Sequence, residues 1–195
     1  MENNPYTPPT ARLDESTSKS QEFYVVSIPK FSILFFSTLG IYGIYWFYAN
    51  WKQYKQVSGE SIWPAPRALF NIFFTHSLFT KIQDSLDKEG ITFAWNPSIT
   101  ATIYVILAIL SNILDRLSIN EVGTPYTDTL SLLALPAIYY TLLIPQKAVN
   151  IGANDPGGSI NSSYSAANYL WIGAGALLWL LTIVGFLAIF GIISE

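Results

Sequence analysis

The chain has 195 residues and a net charge of −3, with 12% charged against 51% hydrophobic residues. Soluble domains carry about 25% charged residues, so this balance points to an apolar setting. The absence of cysteine excludes disulfides, thiolate metal sites, a cysteine nucleophile and a lipoprotein-type acyl anchor; with no basic block, there is no electrostatic footprint for nucleic acid.

Residues 1–29 are largely polar, with Pro5, Pro8 and Pro9 among Asn, Thr and Ser. Such a composition buries no core, and a disordered tail is expected. Within it, the apolar run Phe23–Ile28 is expected to lie along a membrane surface. No apolar core precedes Phe31, so the first span is expected to insert without a cleaved signal peptide. That span is residues 31–51, which hold no charge and are bracketed by Lys30 and Lys52. As a helix it would reach roughly 30 Å, one hydrocarbon thickness. On a helical wheel Ser37, Gly40 and Gly43 share a face that Asn50 extends, and small side chains there let another helix approach closely. Trp46, Tyr48, Trp51 and Tyr54 gather toward the end, where amphipathic rings suit the headgroup level as interface anchors.

Residues 38–48 read TLGIYGIYWFY and are followed by Asn50, Trp51 and Lys52. This run resembles the T-[LF]-G-[IL]-Y-x-[IL]-Y-W-[FL]-Y signature of a family of small bacterial integral membrane domains of unknown function. The resemblance covers a small part of the chain. It implies a multi-pass protein of the bacterial inner membrane and implies no activity.

Beyond Trp51 the helix is expected to run into water and stop at Ser58 and Gly59. Trp63 to Pro66 reads as an extended break, with Pro66 suited to the first turn of a helix over 66–88. Arg67, Asn71, His76 and Lys81 interrupt that helix, so it is expected in the interface or packed on the bundle. His76 is the sole histidine, and a structural role is expected for it. Asn96 and Pro97 open a span over 98–114, with Asp115 and Arg116 snorkelling at its end. The next span, 129–149, contains Pro136 and Pro145. Such prolines are tolerated in membrane helices and also mark the broken helices of transport sites. The loop from Asn150 to Ser165 has turn chemistry and too few carboxylates to bind calcium. The last span, 168–193, presents Gly173, Ala174, Gly185, Ala188 and Gly191 on one face, a second small-residue surface expected to pack on the first.

The fold predicted is therefore all-α, a disordered tail on a helical membrane domain over 30–195 with four spans and one extra helix. No H-E-x-x-H, G-x-S-x-G or phosphate loop is present, so no catalytic or metal site and no cofactor is expected. The function expected is non-enzymatic, by packing against lipid, a second copy or another membrane protein; the alternative is a transporter or channel component. Three topologies are compatible with the sequence. Four spans divide the basic residues six to four with the N-terminus outside. A first stretch that dips in and returns near Gly40 and Gly43 divides them nine to one. A spanning second helix divides them six to four with the N-terminus inside. All three leave Glu195 outside.

Overall fold

The computed structural model describes residues 21–192, and every regular element among them is a helix. The helices are α1 (Ile28–Ser37), α2 (Tyr42–Ser58), α3 (Pro64–Leu69), α4 (Asn71–Lys88), α5 (Pro97–Ile119), α6 (Tyr126–Gly152) and α7 (Ala166–Ile189), with a 3-10 turn at Ser159–Asn161. Three of them, α5, α6 and α7, are long and apolar enough to cross a membrane. Residues 1–20 of the expected tail lie outside the described residues. From Phe23 onward the chain is built into the fold, with Phe23, Val25, Val26 and Ser27 buried.

The single helix expected over 31–51 is two helices, and this is the main departure from the four-span expectation. Leu39 and Gly40 take left-handed φ values of 50° and 86°, which stops α1. Gly40 N–H donates to Phe35 O (2.9 Å) and Leu39 N–H to Phe36 O (3.3 Å), the bond pattern of a Schellman helix ending. The buried Thr38 hydroxyl joins the two helix ends. It donates to Leu34 O (2.7 Å) and accepts from Tyr42 N–H (3.0 Å). One side chain thus satisfies a terminal carbonyl of α1 and the first amide of α2.

The chain then returns along itself. The Phe31 ring lies 6.2 Å from Trp46 and 6.0 Å from Tyr42, Tyr24 N–H donates to Asn50 Oδ1 (3.2 Å), and Phe23 stacks on Tyr54. Each pair matches a residue on the way in with one on the way out, as an antiparallel hairpin requires. A Cβ placed at Gly40 would meet Leu135 at 3.0 Å, and one at Gly43 would meet Leu142 at 3.5 Å. The tip therefore stands about nine residues, or roughly 13 Å, from the start of α6.

The helix expected over 66–88 is divided at Phe70 into α3 and α4. Thr75, Leu78, Phe79, Ile82 and Leu86 of α4 are buried, a stripe at helical spacing that packs this helix on the bundle. Asn96 caps α5 by accepting from Ile99 N–H at 2.9 Å, behind Pro97 in the first turn. Helix α6 continues through Pro136 and Pro145. Ser165 and Asn168 form a reciprocal capping box at the start of α7. That helix leans on the hairpin: Trp179 Nε1–H donates to Phe36 O at 2.8 Å, and Gly175 is its one buried residue.

Candidate functional site

Helix α7 touches the hairpin at Gly175 and Trp179, and a gap separates it from α5 and α6. The gap is a cleft of about 1360 Å³. Leu39, Gly40, Phe35 and Ile44 form its floor at the hairpin tip. Ala108, Asn112, Leu135 and Ile138 line one wall, and Gly185, Phe186 and Ile189 the other. Asp115, Arg116, Ser118, Asp128 and Ser131 line it near the α5–α6 turn. Ser118 Oγ–H donates to Asp128 Oδ1 at 2.5 Å, and Ser131 donates to Asp115, so both carboxylates are tied to the opposite helix. The cleft exceeds the several hundred Å³ of a typical small-molecule site and is apolar with a polar end. It can hold a long apolar chain with a polar head at that end.

The small residues singled out in the sequence divide around this gap. Gly40 and Gly185 both line the cleft, and a Cβ at Gly185 would meet nothing within 4 Å. Gly173 and Gly191 are likewise open, and Ala188 is exposed. Gly43 meets Leu142 and Phe35, and Ser37 presents its backbone carbonyl to α7. The close approach falls on Gly175, where a Cβ would stand 2.0 Å from Ser37 O. The turn at Thr38–Ile41 divides the face drawn on an unbroken helix: Ser37 meets α7 as expected, whereas Gly40 and Gly43 face Leu135 and Leu142 of α6. Gly175 lies off the five-residue face, so no pattern distinguished it.

The rings expected as interface anchors are mostly internal. Trp46 and Trp51 are 0% exposed and Tyr54 is buried, leaving only Tyr48 half-buried. Trp46 Nε1–H donates to Gln146 Oε1, and Tyr54 O–H donates to Glu60 Oε1, both at 2.5 Å. The hairpin fold turns these rings toward α6 and α4. Exposed aromatic rings stand elsewhere, at Trp63, Tyr126 and Tyr169, close to helix starts. Lys81 donates to Tyr54 and forms an ion pair with Glu60 at 2.9 Å. Hydrogen bonds from Tyr54 and then Lys81 hold the Glu60 carboxyl below its ordinary range. Burial pulls Lys81 down, but its bonds to Tyr54 and Glu60 outweigh this and raise it.

A second polar cluster lies at the opposite end of the bundle from the cleft rim. The extended backbone of residues 24–27 runs among side-chain amides. Asn150 Nδ2–H donates to Val26 O (2.9 Å), Asn161 Nδ2–H to Val25 O (2.9 Å) and Gln146 Nε2–H to Tyr24 O (3.3 Å). Lys30, 4% exposed, donates to Asn161 Oδ1 and Ser163 O, each at 2.6 Å. These amides replace the neighbouring strand that an extended segment ordinarily needs. Their sequence signal was Gln146 and Asn150 one turn apart near the end of an otherwise apolar helix.

His76 is exposed, bonds through Nε2 to Thr102 Oγ1 at 3.0 Å, and does not line the cleft. No group of three or more metal-ligating side chains occurs among the described residues. Comparison of the chain with protein-family models, curated proteins and solved structures gives no match.

Proposed function

We propose that the chain is a multi-pass protein of the bacterial inner membrane that acts without catalysis, by holding the chain of a lipid or similar amphiphile in the cleft. The observation that carries this reading is the cleft: an apolar floor at the hairpin tip and a polar end at the α5–α6 turn. A membrane setting is supported by α7, of whose most apolar window only 6% is buried. Leaving that surface to water would forfeit the hydrophobic stabilisation that apolar burial supplies. The TLGIYGIYWFY run belongs, on this proposal, to the membrane family it resembles. Its Thr and Gly then serve a turn whose backbone groups must be satisfied away from water.

Three crossings and a hairpin that dips and returns set the orientation. Arg12, Lys19, Lys30, Lys52, Lys55, Arg67, Lys81, Lys88 and Lys147 then share one side, and Arg116 stands on the other. Basic residues mark the cytoplasmic side, so the N-terminus is inside. The cleft opens toward the outer leaflet.

The test is the lipid retained on purification. Mass spectrometry of the intact protein in mild detergent should show lipid held by the wild type and lost from Gly185→Trp, whose ring would fill the cleft. Equal retention by both would sink the reading. A second reading, a transport component, is favoured by one observation: the cleft is lined at Leu39 and Gly40 by a break between two helices, as transport sites are. Solute uptake into liposomes that Gly185→Trp abolishes would favour it over lipid holding.

A further inference from the structure

We propose that Arg67 anchors the phosphate of a glycerophospholipid in the leaflet on the N-terminal side of the bundle. The guanidinium carbon lies 4.4 Å from the centre of the Trp51 ring and 5.1 Å from that of Phe74. Two aromatic faces thus hold the group in place while leaving its N–H donors unspent. No described residue accepts a hydrogen bond from it or pairs with it in an ion pair. Glu60 lies within its electrostatic reach but is engaged by Tyr54 and Lys81.

An arginine is always charged and carries five donors in a planar fork. Such a fork matches two phosphate oxygens at once. The surroundings select a lipid over a free anion. Trp63, one turn before Arg67, is 73% exposed, and Phe73, beside the stacking Phe74, is 74% exposed. An exposed tryptophan next to an unpaired cation suits the boundary between headgroups and chains. The acyl chains would lie on Trp63 and Phe73 while the phosphate meets the guanidinium.

The inference rests on the membrane setting proposed above, not on the cleft. Full-length protein in detergent is melted with increasing phosphatidylglycerol, or with inorganic phosphate at matching concentrations. Lipid should raise the melting temperature and inorganic phosphate should not. Arg67→Gln should need about tenfold more lipid for half the effect, the cost of losing a charge-assisted pair. Arg67→Lys should fall between, since it keeps the charge and loses the fork. Phe73→Ser, which leaves Arg67 and both stacking rings intact, should also raise the half-effect concentration. The quantity read is that concentration, so a lower starting melting temperature in a variant does not obscure it. An unchanged value for Arg67→Gln, or an equal response to inorganic phosphate, would overturn the proposal. Gly185→Trp should leave the value unchanged and Arg67→Gln should leave cleft lipid in place, so either reading can fail alone.

Discussion

Replacing Thr38 with Val tests the turn that divides the first apolar stretch. The two side chains are nearly isosteric, so packing around this 1%-exposed position is preserved. What is lost is one hydroxyl with two tasks. Leu34 O keeps a longer bond from Ser37 Oγ at 3.3 Å, but Tyr42 N–H, at a residue only 4% exposed, loses its acceptor at 3.0 Å. A buried donor left unsatisfied costs about 1–3 kcal/mol, and weakening the Leu34 bond adds to this. We expect about 2–3 kcal/mol, which for a chain of this size lowers the melting temperature by about 5–10 °C. Thermal unfolding in detergent measures it, with Thr38→Ser as the control that restores the hydroxyl. If Thr38→Val melted within a degree of wild type, the double-capping argument would be refuted.

Gly175→Ala should destabilise by about 2 kcal/mol, because a Cβ 2.0 Å from Ser37 O must push α7 away and break the Trp179–Phe36 bond. Gly173→Ala, with open space at its Cβ, should be neutral or stabilising in the same melts. Asp155 accepts from Ile160 N–H at 3.0 Å and Ser159 Oγ–H at 2.9 Å, and these backbone and side-chain bonds hold its carboxyl below the ordinary range. Its folded pKa is therefore below its unfolded one. The stabilisation is complete above an unfolded value of about 3.9 and is lost as pH falls through the folded value. Asp155→Asn should flatten that acid-side loss in melts between neutral and acid pH. Reporters fused at residues 20, 92 and 158 should read cytoplasmic and one at 122 outside. A reporter at residue 20 reading outside would restore four crossings.

The long helices were legible because each signal was local and repeated. Asn96 with Pro97, and the uninterrupted apolar run after Ser165, mark α5 and α7 without reference to anything distant. The hairpin was harder. Thr38, Leu39 and Gly40 sit in a run without charge, and in such a run a continuous helix satisfies every backbone group by itself. Breaking it requires Thr38 to cap both ends and Phe23, Leu142 and Gln146 to receive the returning arm; within the run itself only Gly40 and Gly43 hinted at a turn. The inward placement of Trp46 and Trp51 follows from the same turn, so reading one straight helix also misplaced the rings. The cleft could not be read at all. It arises because α7 is held at Gly175 and free beyond Trp179, a property of spacing between helices that no single stretch encodes.

The amide seat of residues 24–27 also sets an order of events during synthesis. Asn150 and Asn161 lie 124 and 136 residues downstream of the carbonyls they bind. At about 5–20 residues per second, ribosomal elongation delivers those amides roughly 6–27 s after the segment itself has emerged. Throughout that interval the carbonyls of Val25 and Val26 lack their eventual donors, and Lys30 lacks Asn161 and Ser163. A nascent chain stalled before Asn150 would hold an unseated leading arm, available to whatever factor meets it at the ribosome exit or the insertion machinery.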